Sequence, residues 1–156
     1  MRTIAKILAG SLIVVLSLIP LKTKGQAADQ GAAANKSRQM KINIIIDGNT
    51  ATAVLEDNPV SRDFYSLLPI TANFEDFASK EKITYLPRKL SVKNNDANYE
   101  ANVWDITYYI PRGNIAIFYK DYGPSKDLAK LGRIVSGNEF LTQNRTFKAR
   151  IERAEN

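Results

Sequence analysis

No histidine and no cysteine occurs among the 156 residues, so any chemistry this chain performs is built from other parts. The usual general base, the Ser-His-Asp triad and thiolate nucleophiles are excluded together, as are disulfides, cysteine-linked lipid anchors and most zinc sites. Guanidinium groups, carboxylates and aromatic faces remain. Arg112, Gly113 and Asn114 lie between two strongly β-forming runs, where a loop can reach a ligand. A tight turn that needs Gly113 and Asn114 accounts for the same residues. Arg62 either lines a groove or pairs on the surface with Asp63 or Glu56. Trp104, Tyr108, Tyr109, Phe118, Tyr119 and Tyr122 alternate across the two runs. Half of them belong to a core, and the other half can wall a site for a peptide or a flat ligand. Asn94, Asn95 and Asp96, with Asn98 and Glu100, place oxygens at alternate positions, but the glycine and the glutamate spacing of a calcium loop are missing. The expectation is no metal and no cofactor.

The elements that must position these groups read as mostly β. Met40 to Ile46 and Thr50 to Glu56 flank Asp47-Gly48, a strong hairpin signal. Asn58-Pro59 is a helix start, and Val60, Phe64, Leu67 and Leu68 fall on one helical face before Pro69 ends the run. β signals return near Thr71 to Phe77 and at Ile83 to Leu86, and Ser91 to Asn102 is polar and rich in turn formers. Val103 to Ile110 and Asn114 to Lys120 are the strongest strands. Tyr122 to Lys126 reads as a loop, Leu131 to Val135 as a short strand, Asn138 to Leu141 as a helical turn, and Thr146 to Ile151 as a last strand. Seven or eight short strands with one or two short helices predict a closed or nearly closed β-barrel, which also removes exposed strand edges.

The first residues read as an export signal. Arg2 and Lys6 precede a 13-residue apolar run from Ile7 to Ile19, too short for the roughly 20 residues of a membrane-spanning helix. Pro20 breaks the run, and Gly25-Gln26-Ala27 offers small residues for cleavage before Ala28. The expected organisation is a signal peptide at 1–28, a flexible linker at 29–39 and one barrel domain at 40–156. Lys22 and Lys24 directly after the run are untypical and predict a membrane-tethered form if cleavage fails. The leader also accounts for the charge. The formal net charge is +6, and four of the 22 basic residues precede Asp29, the first acid; the remaining 18 against 16 acids leave +2. Interspersed signs at +2 make no electrostatic case for nucleic acid. The expected setting is periplasmic or secreted, with membrane contact only through the leader and a monomeric domain.

From Met40 to Leu141 the sequence resembles the small bacterial cyclophilin-like proteins. The residues that carry the resemblance are NPVSRDFYSLLP, EKITYLPRKL, WDITYYIPRGNIAIFYKDYG and LGRIVSG, in that order and spacing. The resemblance implies a minimal cyclophilin-like closed barrel of about eight strands. It also implies that Phe118 matches the pocket phenylalanine of cyclophilins, that Arg88 matches their catalytic arginine, and that Leu131-Gly132-Arg133-Ile134 matches their Phe-Gly-Lys-Val segment. Leu128 stands where cyclophilins carry a pocket histidine, and the Gln-Gly-Gly segment is absent.

Prolyl isomerisation rotates a bond with a barrier of about 18–20 kcal/mol and needs no nucleophile or base. A guanidinium above an apolar floor could serve it, which makes Arg88 with Phe118 the pair for that chemistry. The lost residues favour instead a non-catalytic module that holds a peptide or small molecule in a groove near Arg88, Arg112, Phe118, Tyr122 and Leu128. A weak isomerase using Arg88, or a structural or partner-binding envelope protein, are the alternatives.

Overall fold

The computed structural model of the chain describes residues 39–93, 97–143 and 145–155. The expected signal peptide, the linker up to residue 38 and the acidic centre of the oxygen-rich stretch, residues 94–96, lie outside the described residues. In chain order the elements are β1 (Lys41–Ile46), β2 (Asn49–Leu55), α1 (Pro59–Ser66), β3 (Ile70–Phe77) and β4 (Glu81–Tyr85). They continue with β5 (Ala97–Ala101), β6 (Asp105–Tyr109), β7 (Asn114–Phe118), β8 (Gly123–Ser136), a 3-10 turn (Asn138–Leu141) and β9 (Phe147–Arg153).

Local chemistry accounts for the first elements. Asp47 and Gly48 both adopt positive φ, as a tight hairpin between β1 and β2 requires. Ile42, Ile44 and Ile46 alternate inward on β1, opposite Ala51, Ala53 and Leu55 on β2. The Asn58 side chain accepts the Ser61 amide at 2.8 Å and Pro59 opens α1, so the helix begins where its unpaired amides find a cap. Val60 and Phe64 bury its inner face. Asn58 Nδ2 and Ser61 Oγ donate to the carbonyls of Lys130 and Leu131, which ties the helix start to β8.

The strands pair in the order β2-β1-β9-β3-β4-β7-β6-β8, and β8 returns to β2, so eight antiparallel strands close into a barrel. The core inside combines the β1 isoleucines with Phe74, Ile106, Tyr108, Ile115, Ile117, Phe147 and Ile151. Closure is tight at Gly132. A Cβ there would lie 2.3 Å from the Val54 carbonyl oxygen, closer than any side chain tolerates.

Two segments differ from the sequence expectation. The expected loop at Tyr122 to Lys126 and the short strand after it form one 14-residue strand, β8. Its second half pairs with β2 and closes the barrel, and its first half pairs with β5. β5 itself arises within the stretch expected to be polar turn. The first half of β8, from Gly123 to Ala129, and β5 pair with each other outside the closed ring, and the alternation of Ala97, Tyr99 and Ala101 is short and set among turn formers.

Candidate functional site

β7 is buried along its whole length. A barrel strand with one wet face would alternate, so something covers its outside. Ile115 and Ile117 belong to the barrel core. Ala116 and Phe118 face the other way and join Ile83, Ala101 and Leu128 in a second apolar cluster, flanked by Tyr99 and Tyr109. The cover comes from β5, which supplies Tyr99 and Ala101, and from Leu128 on β8.

Next to this cluster a cavity of about 100 Å³ lies on the outer face of the barrel. Phe77, Ile83, Tyr109, Phe118, Tyr122 and Leu128 form its apolar walls, and Glu81, Arg112 and Asn114 are its polar members. The Phe118 and Tyr122 rings lie 5.1 Å apart at 42°. Ile110 to Gly113 connect β6 to β7, with Gly113 at φ +72° and its amide donating to the Tyr109 carbonyl at 2.9 Å. This turn delivers Arg112 and Asn114 to the cavity, so the turn formed at Gly113 is compatible with a place for both at its wall.

The three polar groups differ in how they are satisfied. Arg112 is exposed at the rim, its guanidinium 5.8 Å from the centre of the Phe77 ring. Asn114 is only 3% exposed; its Nδ2 donates to the Ile115 carbonyl at 3.2 Å, while its Oδ1 is buried without a hydrogen-bond partner. An unpaired buried acceptor costs about 1–3 kcal/mol, and native proteins hold few of them. Glu81 is 9% exposed, and its carboxylate has neither a hydrogen bond nor an ion pair among the described residues. Burial pushes its carboxyl from the usual 4.5 up to about 7.

Of the residues singled out in the sequence, the structure brings Arg112, Phe118, Tyr122 and Leu128 to one cavity. Arg88 is not among its lining residues. Its guanidinium makes a two-pronged contact with Asp63 on α1, at 2.9 and 2.6 Å, and the Ser91 amide donates to the same carboxylate at 2.7 Å. The hydrogen bond from Arg88 holds the Asp63 carboxyl below its ordinary value. Arg88 therefore fastens the loop after β4 to the helix. Arg62 pairs with Asp57, not with Asp63 or Glu56; Glu56 pairs with Lys130 at 3.1 Å. Tyr108 turns into the core, where its hydroxyl accepts the Leu90 amide, and Tyr119 donates to Asp76.

Sequence reasoning missed Glu81 altogether and left Asn114 between a ligand-contacting loop and a tight turn. A signal for Glu81 exists: it stands two residues before Ile83 on one strand, hence on the same face. Among the described residues no three metal-binding side chains cluster, and no helix is long and apolar enough to cross a membrane.

With this geometry in hand, the likeness to known proteins is specific. The profile of the Cyclophilin-like family matches residues 44–152. The fold is similar to the solution structure of the hypothetical protein AF2241 from Archaeoglobus fulgidus, with a TM-score of 0.61 and 18% identity, over 78% of this chain and 99% of that one. No curated protein matches the sequence.

Proposed function

The chain belongs to the Cyclophilin-like family, and we propose that this member is an exported binding module that holds a small ligand, or one side chain of a peptide, in the outer-face cavity. One observation carries this reading: three polar residues, Glu81, Arg112 and Asn114, converge on a concavity whose walls include Phe77, Tyr109, Phe118 and Tyr122. A few placed polar groups in an apolar concavity are what small-molecule sites share. The size argues for a small occupant, since about 100 Å³ is well below the roughly 300–1,000 Å³ of drug-sized pockets. Saturation-transfer NMR on the full chain with a mixture of small amines, amides, carboxylates and alcohols tests it. At least one compound binds saturably, and Tyr122→Ala, a change at a half-exposed wall, weakens that binding. A mixture in which nothing binds, or binding indifferent to Tyr122, refutes the reading.

Export rests on the basic start, the apolar run and the small residues before Ala28. Cell fractionation with N-terminal sequencing tests it: a full-length chain confined to the cytoplasm ends that part of the proposal.

A second reading is a slow prolyl isomerase in which Arg112, rather than Arg88, supplies the guanidinium. It is favoured by the position of Arg112 at the rim of a cavity floored by Phe118. Exchange spectroscopy on Xaa-Pro peptides decides it. Rotation at the uncatalysed rate, or a rate unchanged in Arg112→Ala, removes it.

A further inference from the structure

The described arginines divide by what they hold. Arg62, Arg88, Arg133, Arg145 and Arg150 each pair with a carboxylate, and Arg153 donates to the Tyr65 carbonyl. Arg112 makes no hydrogen bond and no ion pair among the described residues, and it is the arginine at the mouth of the outer-face cavity. Its place is nevertheless fixed. The turn that carries it is pinned at two points, by the Gly113 amide on the Tyr109 carbonyl at 2.9 Å and the Ile110 amide on the Asp127 carbonyl at 3.0 Å. The guanidinium rests 5.8 Å from the centre of the Phe77 ring. A ring contact steadies the cation without occupying the fork of N–H donors that matches a carboxylate. Lys89 adds a second cation, its Cγ and Cε 3.1 and 3.5 Å from where a Gly113 Cβ would stand, so its chain runs along the same turn.

We infer that Arg112 anchors a carboxylate whose short apolar tail enters the cavity. This assignment rests on the cavity being a binding site, as proposed above. The guanidinium offers two parallel N–H bonds in the plane that a carboxylate needs, and the tail lies against Ile83, Phe118, Tyr122 and Leu128. Arg112 is exposed, so the head group keeps water on one side and avoids the cost of burying a charge. An ammonium head in the same place meets the charges of Arg112 and Lys89. An alcohol gains the apolar walls and leaves the guanidinium to water. Glu81 is the acid of the wall. With its carboxyl at about 7, about nine-tenths of it is protonated at pH 6, where it sets little charge against the ligand.

The test titrates the ¹⁵N-labelled full chain at pH 6 with butyrate, n-butanol and n-butylammonium, following the amides of Gly113, Phe118 and Leu128. Butyrate is expected to bind about tenfold tighter than butylammonium and about fivefold tighter than butanol. Arg112→Gln weakens butyrate about fivefold and leaves butanol unchanged, which also shows that the walls remain in place. Arg112→Lys keeps the charge without the planar fork and recovers only part of the loss. Two further probes separate the sources of such a carboxylate. N-acetyl-leucine stands for the C-terminus of a peptide, and isocaproate is the same chain without the acetamido group. Tighter binding of the first assigns the site to peptide ends, and tighter binding of the second assigns it to small free acids. Butanol or butylammonium binding as tightly as butyrate, or butyrate affinity unchanged in Arg112→Gln, overturns the carboxylate assignment and leaves the cavity a binding site. No saturable shift at these amides with any probe overturns both.

Discussion

Replacing Glu81 with Gln should stabilise the protein at pH 8 and leave its stability unchanged at pH 4. The carboxyl of Glu81 titrates near 4.5 when unfolded and at about 7 in the fold. Below pH 4.5 it is protonated in both states and contributes no difference. Between 4.5 and 7 the unfolded chain ionises while the folded one keeps its proton, so stability falls as pH rises; above 7 the loss is complete. At about 1.4 kcal/mol for each pH unit, the interval sets an upper bound of about 3 kcal/mol. Water at the cavity mouth screens the charge and brings the expected loss to about 2 kcal/mol. Glutamine has nearly the same shape without the charge, so its pH profile is flat over this interval. Urea unfolding of both proteins at pH 4, 6 and 8 measures the difference. The lowered Asp63 acts with the opposite sign and only on the acid side, and it is common to both proteins, so it cancels. Parallel profiles from pH 4 to 8, or a variant less stable than the parent at pH 8, would refute the reasoning.

Gly132→Ala places a methyl group 2.3 Å from the Val54 carbonyl oxygen and 2.8 Å from Leu55 Cα, both backbone atoms across the β2–β8 seam. The seam has to part, and a loss of about 3 kcal/mol or more by urea unfolding is expected; a loss under about 1 kcal/mol means the closure is looser than described. Arg88→Ala releases the loop after β4 from α1, because its bonds go to Asp63. It leaves the amide shifts of Phe118, Tyr122 and Leu128, and any ligand affinity, unchanged; a tenfold loss of affinity would return Arg88 to the site. Deleting residues 1–38 leaves the barrel folded, because its described core begins with Ile42 on β1. Circular dichroism and a cooperative thermal transition read this, and an unfolded product would show that the leader supplies part of the core.

The sequence by itself determined the elements whose causes are local. Asp47-Gly48 makes its hairpin because two positive φ angles are needed there. Asn58-Pro59 starts its helix because a side-chain acceptor and a residue without an amide proton suit a helix end. The inward alternation of Ile42, Ile44 and Ile46, and of Phe147, Ala149 and Ile151, marks strands with one dry face. Enough strands of this kind, with a short helix, imply a barrel, and the quoted segments implied which one. They also led to Arg112, Phe118 and Tyr122, which belong to or border the two strongest strands, and to Leu128, which the resemblance sets where cyclophilins carry a histidine.

Tertiary structure decided everything that depends on a partner far along the chain. β8 is one strand because β5 and β2 occupy successive halves of one of its edges, which no local pattern encodes. Arg88 left the expected site because a carboxylate 25 residues earlier, Asp63, offered it two hydrogen bonds. Glu81 stands two residues before the expected run from Ile83 to Leu86 and was not singled out. It is buried because the strand that faces it across the pairing, β7, is covered on the outside. Asn114 lost a partner for its Oδ1 for the same reason. Charge state and hydrogen-bond satisfaction follow from what packs over a residue, and that depends on the closed sheet rather than on the neighbours in sequence.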